Sequence, residues 1–367
     1  MGFLIEKEIN MTNLKHFSDC SYYFEQNKLN SFCTLWENGY FHCLKIWTYN
    51  KHIMDSSLQN IAIGVDIGGS HITAVAVDLA GHRIISGSRA ESPVDNKAEA
   101  DEILTVWTDT LKRVLKGMQI FNLRGIGFAM PGPFDYVRGI CLIRGVPKYE
   151  KLYGVNVGKA VSSRLGLPCD CRVRFMNDAS SFAVGEAWAG KAAGYRKMMA
   201  ITLGTGFGSA FVDDRIPVVD GPGVPRMGCV YHLPFGNGIA DDYFSTRWFT
   251  SRFSEVTGRE AAGVKEVAME AEHLPEVRGL FTEFGSSLGA FLTPWLIRFE
   301  AEILVIGGNI SHAWELFGPA FEDELRQSGC KTAVAISELK EDAALLGSAY
   351  LLDEGFWKAV QPALPLM

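Results

Sequence analysis

The sequence predicts an α/β protein whose two halves repeat one architecture and face each other across a cleft. The repeat carries most of that prediction. Ile61-Ala62-Ile63-Gly64-Val65-Asp66 reads as a buried strand and His71-Ile72-Thr73-Ala74-Val75-Ala76-Val77 as a second, joined by the tight turn Ile67-Gly68-Gly69-Ser70. The unit returns in altered form as Met198-Met199-Ala200-Ile201-Thr202-Leu203, the glycine turn Gly204-Thr205-Gly206-Phe207-Gly208 and the return strand Ser209-Ala210-Phe211-Val212. Composition supports a folded pair of domains: 367 residues, 47% hydrophobic and 21% charged, too apolar for a disordered chain.

Charge and patterning exclude several classes of function. A net charge of −7 steers the chain toward neither nucleic acid nor an anionic membrane. No apolar run approaches the ~18–20 residues of a membrane helix, and Met1-Gly2-Phe3-Leu4-Ile5-Glu6-Lys7-Glu8 has no signal-peptide core. The eight cysteines include no CxxC pair, and Cys169 and Cys171 are separated by a single residue, which argues against a zinc ribbon. A chain of this size does not need a disulfide scaffold. The expectation is a soluble, cytoplasmic, two-domain protein.

Residues 1–57 differ from the rest. They contain no Ala, Val, Pro or Arg, and eleven of them are aromatic. Three readings compete: a small extra module, a DNA-binding arm, or sequence upstream of a natural start at Met54. Five Lys against six Asp or Glu weigh against the arm. The favoured reading is a dispensable extension.

From Asn60 the elements follow regularly. Asp78-Leu79-Ala80-Gly81 turns into a third strand over Arg83-Ile84-Ile85-Ser86-Gly87-Ser88, giving a meander. Asp95 or Asn96 can cap a helix carrying Leu104, Trp107, Leu111 and Val114 on one face and ending at Gly117. Gly125–Met130 is a short strand leading into Pro131-Gly132-Pro133. Arg172–Met176 is another, followed by Asn177-Asp178 and a helix through Trp188. Leu280, Phe284, Leu288, Phe291 and Trp295 define a helix over 280–296 that Pro294 kinks or ends. Ala301–Ile306 is a last strand running into Gly307-Gly308-Asn309, and Glu341–Leu352 is a helix rich in Ala. The domains are therefore expected at 58–178 and 179–340, with 341–367 packing back on the first.

Four groups of residues have chemical potential. In Asp66-Ile67-Gly68-Gly69-Ser70 the glycines let backbone N–H groups approach phosphate oxygens, Ser70 adds a hydroxyl, and Asp66 can hold magnesium through water. A Rossmann or P-loop reading fails, because both need a helix after the glycines and this chain returns as a strand. Taken alone the turn is equally an ordinary hairpin, and so is Gly204–Gly208. Two such turns facing one another can grip a polyphosphate from both sides. Gly307-Gly308-Asn309 would let a purine or ribose lie against backbone. Asn177-Asp178 places a carboxylate just beyond a strand, where Asp178 can accept the proton of an attacking hydroxyl. The same pair reads equally well as an Asx cap on the following helix. His232 and Asp241-Asp242 carry less, since no second His or Cys stands at ligand spacing from His232.

Together these motifs resemble the ROK family of sugar kinases and related repressors, over about Ile61 to Leu352. The resemblance implies an actin-like (ribonuclease H-like) ATPase fold with two α/β domains. It makes Asp66-Ile67-Gly68-Gly69-Ser70 similar to the DxGGT phosphate motif, with Thr205 and Gly206 in the second phosphate motif and Gly307, Gly308 and Asn309 in the adenosine motif. It implies Asp178 as general base and Asn177, Gly132, His232 and Asp241 as sugar contacts. ATP with Mg2+ and a hexose are the implied ligands, in a homodimer that binds no nucleic acid and no membrane. Two departures matter. The family's GExGH segment reads Gly228-Cys229-Val230-Tyr231-His232, so a sugar-contacting Glu has become Cys229. The zinc-binding cysteine cluster is replaced by Leu233–Ala240, so no structural zinc is expected. Losing one carboxylate and shortening another to Asp241 changes which hydroxyls are recognised, with glucose the default sugar. The alternatives are a non-catalytic sugar or nucleotide sensor, suggested by Cys229, and a sugar-responsive transcription regulator, for which residues 1–57 lack a helix-turn-helix pattern.

Overall fold

The computed structural model describes residues 60–116, 123–146, 148–168 and 171–367, with the backbone of Cys20–Ser21, Ser31–Glu37 and Tyr40–Ile46. Met54, Gly117 and Cys169 lie outside the described residues. The chain divides into two units, Met1–Ser56 and Ser57–Met367. In the first, Ser31–Glu37 pairs antiparallel with both Cys20–Ser21 and Tyr40–Ile46.

In the second unit β1 (Ile61–Ile67) and β2 (His71–Asp78) form an antiparallel hairpin. Both are buried almost throughout, so their sequences run apolar instead of alternating. The other edge of β2 carries β3 (Arg83–Ile84) and β4 (Ala90–Pro93). The third strand is shorter than expected because the Ser88 side chain takes over its pairing: Ala76 N–H donates to Ser88 Oγ at 3.0 Å, and that hydroxyl donates to Ile85 O at 2.6 Å. α1 (Ala100–Leu115) buries Ile103, Leu104, Trp107, Leu111 and Val114, packing on β2 and β4. It starts after the expected caps because both are engaged elsewhere. Asp95 accepts from Lys97 N–H at 2.9 Å, and the Asn96 side-chain amide donates to Gly69 O. β5 (Leu123–Met130), then α2 (Val157–Leu165) and β6 (Arg172–Asn177), complete a sheet ordered β6-β5-β1-β2-β3, in which β1, β5 and β6 are parallel.

α3 (Asp178–Ala189) leads into the second sheet. There β7 (Lys197–Leu203) and β8 (Phe207–Asp213) form the hairpin and β9 (Ile216–Val218) is the edge. α4 (Thr246–Thr257) and α5 (Pro275–Phe299) precede β10 (Ile303–Gly307), and α6 (Trp314–Gln327) precedes β11 (Ala333–Ile336). The order β9-β8-β7-β10-β11, with β7, β10 and β11 parallel, repeats the plan of the first sheet: a hairpin whose first strand is followed, on the side away from its partner, by two parallel strands in succession. Pro294 lies inside α5 without ending it, since Leu292, Leu296 and Phe299 remain buried in the second core.

α7 (Asp342–Tyr350) holds the hairpin of the first sheet against α3. Its small residues make this possible. A Cβ on Gly347 would stand 1.9 Å from Ser181 O, and one on Gly185 1.9 Å from Ala343 O, so the two helices cross with backbones in contact. On the other side Val65 N–H of β1 donates to Ser348 Oγ at 3.1 Å. α8 (Glu354–Val360) follows, capped by Asp353, whose carboxylate accepts from Phe356 N–H at 2.8 Å. Among the described residues no helix is long and apolar enough to cross a membrane.

Candidate active site

The turn between β1 and β2 is held by its carbonyls. Gly68 O accepts from the Tyr149 hydroxyl at 2.6 Å, Gly69 O from the Asn96 side-chain amide, and Ser70 O from Val94 N–H at 2.8 Å. Gly68 N–H closes the turn on His71 O at 3.0 Å. The N–H groups of Gly69 and Ser70, both in exposed residues, have no acceptor among the described residues. A rigid turn with unpaired donors leaves backbone amides available to an acceptor from outside the chain.

The turn between β7 and β8 is built the same way. Gly204 O accepts from both the backbone N–H and the hydroxyl of Thr246, at 2.8 and 2.9 Å. Phe207 N–H donates to Asp241 Oδ1 at 2.6 Å, and Arg247 donates to Asp241 Oδ2 at 2.6 Å. The N–H groups of Thr205 and Gly206 have no acceptor among the described residues. Beside this turn lies the end of β10. Gly308 has φ +82°, and a Cβ there would stand 2.3 Å from Leu203 O and 2.6 Å from Leu203 N, so only glycine lets the strand end lie against the turn. Asn309, which follows it, is exposed.

The start of α3 touches the residue after the second turn and acts through charge on Asp66, just before the first. Asn177 caps the helix by accepting from Ser180 N–H at 3.1 Å. Asp178 Oδ1 accepts from the Asn177 amide and from Ala179 N–H, each at 2.9 Å, and its Oδ2 has no donor among the described residues. A Cβ on Gly208, after the second turn, would be 3.3 Å from Ala179 Cβ. On the first-turn side, half-buried Asp66 is pushed up from 3.8 to about 7 by burial, then by the carboxylates of Asp178 and Glu341, against the ammonium of Lys148. Asp66 makes no side-chain hydrogen bond among the described residues. Asp178 and Glu341 thus act on Asp66 through charge, but among the described residues no three His, Cys, Asp or Glu side chains are grouped to hold a metal ion directly.

Residues 62–354 match the family model described as ROK family. The chain belongs to the ROK family. It is 28% identical over 320 residues to a glucokinase of Thermotoga maritima, covering 80% of this chain and 97% of that one. It is 25% identical to an N-acetyl-D-glucosamine kinase of Vibrio parahaemolyticus, over 68% of this chain and 84% of the relative. Among solved structures, a ROK family glucokinase from Streptomyces griseus in complex with glucose and AMPPNP aligns with a TM-score of 0.62 at 23% identity, covering 80% of this chain and 99% of that one. The fold is the actin-like ATPase fold of ROK proteins.

Pro234–Phe235 pairs with Gly238–Ile239, and the Phe235 ring meets Tyr243 and Phe291 edge-on at 5.0 and 5.4 Å and Phe244 at a tilt at 5.0 Å. Cys229 Sγ lies 3.8 Å from His232 Nδ1, and burial pushes its thiol up to about 11, so it stays neutral at ordinary pH. Gly132 borders the Tyr136 hydroxyl, at 3.2 Å from an ideal Cβ. Tyr136 is buried, donates to Met130 O at 3.0 Å and lies 3.5 Å from the Asn177 amide nitrogen. Burial raises its hydroxyl above the ordinary range, with Asp178 next and Tyr231 a smaller contributor. Gly132, Tyr136, Asn177, Asp178 and the Tyr231-His232 segment thus share one neighbourhood. Asp241 has both oxygens committed to Phe207 N–H and Arg247. Asn96, Tyr136, Lys148, Tyr149 and Arg247 escape motif reading. The one signal for the loop residues among them is Pro147-Lys148-Tyr149 in a stretch without periodicity.

Proposed function

We propose that the chain is an ATP-dependent sugar kinase of glucokinase type, with Asp178 as general base. One observation supports the reading: Asp178, which keeps one oxygen open, starts a helix that touches Gly208 after the second turn and acts through charge on Asp66 before the first, and both turns carry unpaired N–H donors. The amides of Gly69, Ser70, Thr205 and Gly206 bind the phosphate tail, and the exposed backbone at Gly308-Asn309 lies where the nucleoside rests. Magnesium, when bound by Asp66 through water, screens the charge of the phosphates. The sugar hydroxyl stands at Asp178 Oδ2 and gives up its proton there as its oxygen forms the new bond to phosphorus. The bond from phosphorus to the ADP oxygen breaks in the same displacement. Asn177, fixed by its cap and by Tyr136, orients both the base and a neighbouring hydroxyl. Closure of the two halves excludes water, which competes as acceptor.

The sugar is a hexose, with glucose the first candidate. Cys229 offers a neutral thiol in place of a carboxylate acceptor, which weakens discrimination at one hydroxyl and leaves N-acetylhexosamines within the class to be tested. A panel of hexoses, N-acetylhexosamines and epimers, assayed for sugar-dependent ADP release, identifies the substrate. Calorimetric sugar binding without turnover for any member would favour the sensor reading instead.

A further inference from the structure

Lys148 belongs to no motif, yet the fold fixes it at the first glycine turn. Its Nζ lies 3.9 Å, and its Cε 3.7 Å, from where a Cβ on Gly69 would stand. The neighbouring residue is tied to the same turn twice: Tyr149 N–H donates to Asn96 O at 2.8 Å, Asn96 donates to Gly69 O, and the Tyr149 hydroxyl donates to Gly68 O. Tyr149 is fully buried, with its ring edge-on to Trp107 at 5.6 Å. The backbone under Lys148 is therefore anchored to the turn whose free amides face the phosphates. Lys148 itself is half-buried and makes no side-chain hydrogen bond or ion pair within 4.0 Å among the described residues, whereas nearby Lys151 pairs with Glu99 at 2.8 Å. With no partner inside hydrogen-bond reach, the ammonium is available to an incoming anion. Of the charges acting on Asp66 among the described residues, Lys148 is the one cation, against the carboxylates of Asp178 and Glu341, in a site that must also take a triphosphate.

We propose that Lys148 is a catalytic residue whose ammonium contacts the transferred phosphoryl group from above Gly69. The proposal rests on the kinase reading and deepens it. Lys148 donates hydrogen bonds to the equatorial phosphoryl oxygens while the bond to the ADP oxygen breaks and the bond to the sugar oxygen forms. A fixed cation aimed at charge in transit costs no reorganisation when the reaction occurs.

Three variants test it: Lys148→Met, Lys148→Gln and Lys148→Arg, each checked for folding by thermal melting. In Lys148→Met, kcat is expected to fall on the order of 10²-fold with the sugar KM nearly unchanged, and Lys148→Arg to recover part of the loss. Calorimetry with Mg2+ separates the phosphoryl contact from general attraction. The imido analogue of ATP should bind about tenfold more weakly to Lys148→Met, while ADP, lacking the transferred group, binds as to the wild type. If Lys148→Met does not fold, Lys148→Gln takes its place in both measurements. Wild-type kcat in a folded variant, or equal weakening of ADP and the triphosphate analogue, would overturn the proposal. A wild type that binds nucleotide but turns over no sugar would overturn the kinase reading, and the analogue-against-ADP comparison would still judge Lys148.

Discussion

Replacing Asp66 by Asn tests whether the site stores electrostatic strain in the free protein. In the native state Asp66 holds its proton up to about pH 7, whereas the usual value is 3.8. Between those values the native state binds the additional proton, so stability falls as pH rises toward 7 and stays low above it. At about 1.4 kcal/mol per pH unit the full shift corresponds to about 4 kcal/mol, which solvent screening of a half-buried group reduces to roughly 2–3 kcal/mol. Asn has the same shape and no charge. The assay is urea or thermal unfolding of both proteins, without nucleotide or magnesium, from pH 4.5 to 8.5. The advantage of Asp66→Asn is expected to be small at the acid end and to grow to roughly 2–3 kcal/mol at the alkaline end. A difference that does not change with pH would refute the reasoning, because it would mean that Asp66 is not forced to ionise against burial and its neighbours. The same variant should lose sugar-dependent ADP release. Wild-type activity at limiting magnesium should rise with pH up to about 7, as Asp66 becomes an anion.

Three further outcomes follow from the geometry. Gly308→Ala puts a methyl group 2.3 Å from Leu203 O at a positive φ, so it should cost at least about 2 kcal/mol, read as a lowered melting temperature and weaker nucleotide binding. Asp241→Ala leaves Phe207 N–H and Arg247 without their acceptor, so the KM for ATP should rise about tenfold with little change for sugar; a change confined to the sugar KM would mark Asp241 as a sugar contact instead. A chain beginning at Met54 should melt and turn over like the full chain, since residues 62–354 carry the family match and the unit boundary falls at Ser56; precipitation or inactivity would show that the preceding residues are needed.

The strands and turns were legible because each is a local pattern. Burial on both faces makes β1, β2, β7 and β8 apolar, and the glycines between them mark where a hairpin must turn tightly. Asn177-Asp178 was legible as a strand end beside a helix start, and it serves as a cap and as an open acid together. The residues that rigidify the first turn were not legible. Asn96 looks like a helix cap by type, but its side chain crosses to Gly69 O, and Tyr149 reaches Gly68 O from a loop that has no period to read. Asp241, a sugar contact by resemblance, also has a structural part that its position did not reveal: its hydrogen bonds go to a backbone amide thirty-four residues away and to Arg247. Sequence spacing does not report which acceptor a buried N–H will find once the chain has folded.

The most direct measurement of the chemistry is sugar-dependent ADP release by the wild type and by Asp178→Asn, at saturating ATP, magnesium and the best sugar of the panel. Asn keeps the Oδ1 contacts to Asn177 and Ala179 but cannot take the hydroxyl proton. The rate should fall on the order of 10²-fold or more with sugar binding retained. Equal rates for the two proteins would mean that the acid at the start of α3 is not the base.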